Sequence, residues 1–400
     1  MPPPDRPLRL LLGAFGDPGH AFPLIALGSA LVARGHEVVL QTWSRWEEDV
    51  RATGMGFEAA PEYHVFPTRE RPLKPYEAVV RATGETRPLV AALRPDAVVA
   101  DILTLAPALA AELEGVPVAT VIPHTDPRMG QGWPPYSAGA RLPRTLVGRR
   151  LWGALSRLTD AGLEHGRREL NETRRRLELG PLDRVHGGIS QALALVATFP
   201  ALEYPRAVAL PATHVVGPLL WEPPAAEVQL APGDGPVVLV APSTSQDPSH
   251  QLLRATLRGL ADAPVRVLAV WNGRPLGEPV DVPANARLVE WLSYARTMPL
   301  CDVVVCHGGH GTLARALASG CPVVVVPAAG DMNESAARVD WAGVGVRVPR
   351  RLCAPGPVRL AVERALGETR LRARARELAT WWGEHDPPGR AAELIEELAT

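Results

Sequence analysis

Val303-Val-Val-Cys306-His307-Gly308-Gly309-His310-Gly311-Thr312 is a short apolar run, a glycine-rich turn and the start of a helical stretch. An apolar run without alternation suits a strand buried on both faces, as in a parallel sheet covered by helices. The glycines let backbone N–H groups approach an anion, and the positive end of the next helix faces the same place. Thr312 adds a hydroxyl, and His307 can donate a charge-assisted bond to a phosphate. No lysine occurs in the motif and Lys74 is the only one in the chain, so a P-loop is excluded. A plain packing turn would use the same glycines. Here the turn is followed by Gly320-Cys-Pro322, a second apolar run ending in Pro327, and Asp331-Met332-Asn333-Glu334. That combination points to an anion-binding segment over 306–334.

Working outward, 237–241, 265–270, 286–289, 302–306 and 323–326 read as strands, with helices at 251–261, 311–319 and 334–341. The first half follows the same plan. Strands are expected at 8–14, 38–42, 56–60, 97–100 and 116–121, and helices at 22–34, 44–53, 76–93 and 104–114. A Pro- and Gly-rich loop at 122–143 leads to an arginine-rich helical stretch at 144–178, whose arginines read as a solvated face. The fold class is therefore α/β, with two Rossmann-like, doubly wound parallel-sheet domains facing a central cleft. The domains are expected at 1–220 and 237–400, joined by a linker at 221–236. An amphipathic helix closes the chain at 391–399, and periodicity leaves its docking site open, the N-terminal domain included.

Bulk composition agrees. A chain of 400 residues exceeds one comfortable core, and 46% apolar with 21% charged residues is ordinary for a soluble globular protein. The net charge of −1 gives no electrostatic footprint for nucleic acid or an anionic membrane. The four cysteines show no metal-ligand spacing, which fits free thiols in a reducing cytoplasm. No apolar run is long enough to span a membrane, and 8–14 reads as a first strand rather than a signal segment.

Rossmann strand order puts the first and fourth strands of each sheet side by side. In the first half these lead to Phe15-Gly-Asp-Pro-Gly19-His20 and to Asp101, so His20 and Asp101 should meet. A histidine backed by a carboxylate is a general-base arrangement; the plain alternatives are a helix-start residue and an N-cap. In the second half the first strand leads to Ser243 and Thr244 and the fourth to His307, with helix capping as the alternative for the two hydroxyls.

The ordered pattern H-G-G-x-G-T, G-x-P-x-x-x-x-P and Asp331-Met-Asn333 resembles the donor signature of the UDP-glycosyltransferase-like family. That family has the GT-B fold, and its bacterial natural-product branch, antibiotic and macrolide-type enzymes, is the nearer likeness. Gly19-His20 with Pro23, and Arg34-Gly-His36-Glu-Val38, resemble the family opening, with His36 structural at the turn into strand two. The resemblance implies His20 as catalytic base with Asp101 behind it. It implies a donor diphosphate held by His307, Gly309, His310, Gly311 and Thr312, with Ser243 and Thr244 beside them. Trp291 and Leu292 fall where the family stacks the base, and Asp331 and Met332 where it holds the sugar. The acceptor wall is expected from loops carrying Phe66, Trp133 and Tyr136, with His124 facing the crevice.

Two departures stand out. The family often has a carboxylate for ribose hydroxyls where this chain has Arg315, and Gln where it has Met332. Both losses suit a thymidine-diphosphate deoxysugar as well as an unusual sugar. The implied reaction is inverting transfer from a TDP- or UDP-sugar to a hydroxyl of an apolar small molecule. It needs no cofactor beyond the donor, and no metal, since no D-x-D occurs. The expected protein is a cytoplasmic monomer or homodimer that contacts neither nucleic acid nor the membrane interior. A lipid-linked sugar transferase at a membrane face, a nucleotide-sugar epimerase and a non-catalytic partner are the competing readings.

Overall fold

A computed structural model describes residues 6–61, 75–225, 229–243 and 246–400; Phe66 and Thr244 lie outside the described residues. The first half holds strands β1 (Arg9–Gly13), β2 (Glu37–Thr42), β3 (Gly56–Ala59), β4 (Ala97–Asp101), β5 (Val118–Ile122), β6 (Leu193–Val196) and β7 (Thr213–Val215). Its helices are α1 (Pro18–Ala33), α2 (Glu47–Ala52), α3 (Pro75–Leu93), α4 (Leu105–Leu113) and α5 (Leu146–Arg176). The second half holds β8 (Val237–Ala241), β9 (Arg266–Val270), β10 (Ala286–Val289), β11 (Val303–Cys306), β12 (Val323–Val325) and β13 (Gly345–Arg347). Its helices are α6 (Gln251–Leu260), α7 (Tyr294–Thr297), α8 (His310–Ala318), α9 (Asp331–Ala342), α10 (Pro355–Gly367), α11 (Thr369–His385) and α12 (Pro387–Ala399).

The sheets run β3-β2-β1-β4-β5-β6-β7 and β10-β9-β8-β11-β12-β13. Their pairings are parallel, and the order reverses beside β1 and β8. The run-like strands are explained by burial on both faces. In β1, Leu10 and Leu12 pack with α1, whereas Leu11 faces Val90 of α3 and Ala110 of α4. In β11, Val303 and Val305 join Leu253 of α6, while Val304 and Cys306 join Leu313 of α8 and Leu378 of α11. Each such buried Leu or Val contributes about 1.5–3 kcal/mol. β6, β7 and β13 were not expected from the sequence. They are short strands at or near a sheet edge, paired at their register positions with β5, β6 and β12.

The helix α12 returns to the half where the chain began. Ala391, Ala392, Leu394 and Ile395 pack in one core with Leu24, Leu27 and Leu31 of α1. Glu396 fixes that packing: Arg34 donates two bonds to it at 2.7 Å, and His36 Nε2 a third at 2.7 Å. His36 Nδ1 accepts from the Leu8 N–H at 3.2 Å, so the second nitrogen carries the hydrogen that Glu396 receives. Two segments thus cross between the halves, and they touch. Gly217 has φ 100°, and a Cβ there would stand 2.7 Å from Pro387 Cγ and 3.0 Å from the Trp381 ring. Trp382 Nε1 donates to the Pro218 carbonyl at 3.1 Å.

Further contacts cross the cleft. Arg338 of α9, wholly buried, donates to Glu334 at 2.7 Å and to the Leu202 carbonyl at 3.0 Å, and lies 3.5 Å from the Tyr204 ring centre. Arg347 donates to the Gly139 carbonyl, and Arg141 pairs with Asp340 at 2.7 Å. The arginines of α5 are not all on a solvated face. Arg174 is buried, and its two bonds to Glu112, at 2.7 and 2.8 Å, pin α5 to α4. Among the described residues no helix is long and apolar enough to cross a membrane.

Candidate active site

A cavity of about 360 Å³ lies between the halves, lined from both. The first half contributes Phe15, Gly19, His20, Phe22, Leu103 and His124; the second contributes Ser243, Trp291, His307, Thr312 and Asp331.

Register explains the first pair. Gly13 of β1 stands beside Ala100 of β4, so the loop after β1 passes over Asp101. Asp101 is buried and accepts from the Phe15 N–H at 3.1 Å and the Thr104 hydroxyl at 3.2 Å. Its other oxygen lies 2.7 Å from His20 Nδ1, across 81 residues of sequence. A carboxylate oxygen accepts, so Nδ1 carries the hydrogen and Nε2 is the basic nitrogen left for the cavity. Burial is the largest single influence on His20 and pulls its pKa down. The charge and hydrogen bond of Asp101, with Asp17 and Asp331, outweigh it, and the net shift is upward. The arrangement can take a proton from a hydroxyl and hold the resulting imidazolium.

On the other side, β11 ends at Cys306 beside Ala241 of β8, and the glycine turn caps α8. Gly308 has φ 89°, a left-handed conformation open to glycine, and Gly309 is the N-cap of α8. His307 Nδ1 donates to the Ala241 carbonyl at 3.2 Å. A Cβ on Gly309 would stand 2.3 Å from His307 Nε2, so the glycine is what leaves room for that ring. Burial lowers the His307 pKa. With Nδ1 donating to Ala241, Nε2 is the acceptor whenever the ring is neutral. Nε2 can bond a phosphate oxygen only when it carries a proton, which burial opposes.

His310, at the first position of α8, is buried with neither ring nitrogen within hydrogen-bond geometry of a described residue. Burial, aided by nearby His124, pushes its pKa down to about 3; the Ala197 backbone opposes this without meeting hydrogen-bond geometry. Gly309, Gly311 and Thr312 line the cavity. So does Ser243, whose hydroxyl oxygen accepts from the Gln246 N–H at 2.9 Å, a turn-capping bond. Trp291 is 45% exposed, which separates it from a core tryptophan, whereas its neighbour Leu292 is buried at the cavity floor. Asp331 and Met332 open α9 on the cavity wall. The Asp331 charge is felt by both His20 and His124.

The loop aromatics fall differently from expectation. His124 lines the cavity, but Trp133 and Tyr136 do not. Trp133 packs edge-on against Tyr204 at 5.4 Å, with Arg206 over its face, in the packing beside Arg338. Tyr136 sits behind His124, its hydroxyl 3.2 Å from Nδ1. That nitrogen also donates to the Thr125 carbonyl at 2.7 Å, and burial keeps the His124 pKa low. Tyr136 therefore orients a lining residue instead of lining the cavity itself.

Sequence reading missed the wall from 218 to 223. Trp221 packs edge-on against Phe22 at 5.0 Å, and Glu222 caps α7 by accepting from the Tyr294 and Ala295 N–H groups at 3.0–3.1 Å. The aromatic at 221 was its one visible signal. Among the described residues no group of three or more His, Cys, Asp or Glu could hold a metal ion.

Comparison with known proteins points one way. Residues 255–398 match the family described as Erythromycin biosynthesis protein CIII-like, C-terminal domain. The chain is 30% identical to 4'-demethylrebeccamycin synthase of Lentzea aerocolonigenes, over 98% of this chain and 99% of that one. It is 29% identical to O-mycaminosyltylonolide 6-deoxyallosyltransferase of Streptomyces fradiae, over 98% of each. The fold superposes on the glycosyltransferase VinC in complex with dTDP with a TM-score of 0.71 and 20% identity, covering 98% of this chain and 99% of that one.

Proposed function

The chain belongs to the bacterial natural-product glycosyltransferases of GT-B fold, and from that premise we propose that it moves a deoxysugar from thymidine diphosphate to a hydroxyl of an apolar small molecule, with inversion. The observation that carries this reading is one cavity in which the His20–Asp101 pair faces the glycine turn of α8 and the start of α9. The name of one relative, a 6-deoxyallosyltransferase, and dTDP on the structural neighbour support the donor class. Aromatic and aliphatic lining from Phe15, Phe22, Leu103 and Trp221 supports an apolar acceptor.

In this reading the acceptor oxygen attacks the anomeric carbon while His20 Nε2 takes its proton. The bond from that carbon to the diphosphate oxygen breaks, and its electron pair leaves on the diphosphate. A single displacement inverts the centre. Asp101 fixes the His20 tautomer and stabilises the imidazolium. The N–H groups of the glycine turn and the α8 dipole meet the growing negative charge without moving, so the leaving group needs no proton. His307 bonds the diphosphate once it is protonated, and Asp331 takes the sugar hydroxyls. Trp291 covers the base. The protein works in the cytoplasm, as a monomer or homodimer, without a metal. Full-length likeness to glycosyltransferases of small molecules favours this over the lipid-linked and epimerase readings.

The test is His20→Ala. Sugar transfer should be lost while thymidine diphosphate still raises the melting temperature as in the wild type. Transfer at the wild-type rate refutes the base, and no thermal response of the wild type to thymidine or uridine diphosphate refutes the donor.

A further inference from the structure

Arg315 lines the cavity from the second turn of α8. Among the described residues it donates no hydrogen bond and has no ion-pair partner within 4 Å. Its neighbour Glu222 acts on it only through its field, because the Glu222 oxygens already accept from the Ser293 hydroxyl and from two backbone N–H groups. The other charged side chains on the wall are Asp17, Glu222 and Asp331, all carboxylates. His20 is committed to Asp101, and burial keeps His124, His307 and His310 low. Arg315 is thus the one permanent cation on the described wall.

Its place on the helix says what it meets. Arg315 follows Thr312 by three residues, so both lie on one face of α8. Side chains in a helix lean toward its N-terminus. The guanidinium therefore reaches back toward the glycine turn. A guanidinium only donates, so it cannot accept from a ribose hydroxyl as a carboxylate would. Its fork suits two oxygens of a phosphate.

We propose that Arg315 grips the α-phosphate of a nucleoside diphosphate, an inference that rests on the nucleotide-sugar reading above. It supplies the fixed positive charge that the neutral histidines and the glycine turn do not. It also moves recognition at this point of the wall from the ribose hydroxyls to the phosphate.

The experiment is calorimetric titration of thymidine, thymidine monophosphate and thymidine diphosphate into the wild type, Arg315→Ala and Arg315→Gln, at two salt concentrations. Both variants should bind the two phosphates about 10–100-fold more weakly, with a flatter salt dependence, and thymidine within twofold of wild type. Arg315→Gln keeps the length of the side chain and carries the test should Arg315→Ala melt below the assay temperature. Wild-type-like binding of the diphosphate by the variants overturns the proposal. So does an equal loss of thymidine, or a loss confined to the diphosphate, which would move the contact to the β-phosphate. A wild type that binds neither thymidine nor uridine diphosphate would instead overturn the nucleotide-sugar reading.

Discussion

Asp101→Asn isolates the chemistry of the His20 pair with little change of shape. Asp101 accepts three bonds: from His20 Nδ1 at 2.7 Å, Phe15 N at 3.1 Å and Thr104 Oγ1 at 3.2 Å. An amide has one oxygen and one NH2. The Phe15 N–H cannot change, so the amide oxygen turns to it and the NH2 turns to His20. Nδ1 must then accept, the hydrogen moves to Nε2, and the nitrogen facing the cavity is no longer a base. The lost charge-assisted bond to the imidazolium is about 1.5–3 kcal/mol, or about 10–150-fold in rate. The wrong tautomer adds to this, and the same exchange in a serine-protease triad costs about 10⁴. Transfer by Asp101→Asn should therefore fall by about 10²–10⁴. The binding of thymidine diphosphate should stay within twofold, because Asp101 stands on the other half from the glycine turn. A pH profile separates this from misfolding. His20 acts as a base when neutral, and its pKa is raised, so wild-type kcat/KM should rise with pH through an inflection above 6.5. In the variant the carboxylate's upward influence is gone and burial remains, so the inflection of any residual activity should move down. Steady-state transfer rates across pH, with calorimetry for the nucleotide, decide it. Rates within threefold of wild type, or an unmoved inflection, refute the reasoning.

Two further perturbations probe other parts. Gly309→Ala puts a methyl 2.3 Å from the His307 Nε2 position, while Nδ1 is held by Ala241, so the ring must swing away. Calorimetry should show about tenfold weaker thymidine diphosphate binding, as expected for one lost charge-assisted bond, and unchanged binding would free His307 from that role. Glu396→Gln weakens the α12 anchor. Arg34's hydrogen bond, then that of His36, holds the Glu396 pKa below its usual value. That stabilisation is present above the unfolded value of about 4.3 and is lost as pH falls through the lower folded pKa. Because Arg34 is 31% exposed, the loss is set at about 2 kcal/mol, or about 2–3 °C of melting temperature at pH 7 for a chain of 400 residues. Scanning calorimetry should show the gap between variant and wild type closing in acid; a gap that persists there contradicts the anchor.

The central strands were readable because each is buried twice: Leu11 and Leu12, or Val304 and Val305, face opposite layers, and no polar residue interrupts them. Strand order then brought His20 to Asp101 before any distance was known. The partners of Trp133 were hidden because a loop aromatic looks the same whether it meets a ligand or Tyr204. The linker hid its role for a related reason. Proline-rich composition marks a connection but not its path, and Trp221 and Glu222 follow that path along the cavity wall. His36 looked structural, yet its partner lies 360 residues away, beyond any local pattern. Arg315 was visible as a departure from a family habit, and only the fold shows that it has no hydrogen-bond or ion-pair partner among the described residues.

The touching crossings at Gly217 and Pro387 have a mechanical meaning. Two bodies tied at two adjacent points swing about those points as a lever about a pin. Displacement is smallest beside the pin and grows away from it. The segment from 218 to 223, which leaves that joint, runs along the wall shared with Trp291 and Arg315. A swing that widens the cleft would therefore disturb the wall of 218–223 least, and it would have to break the bonds that Arg338, Arg347 and Arg141 make between the halves.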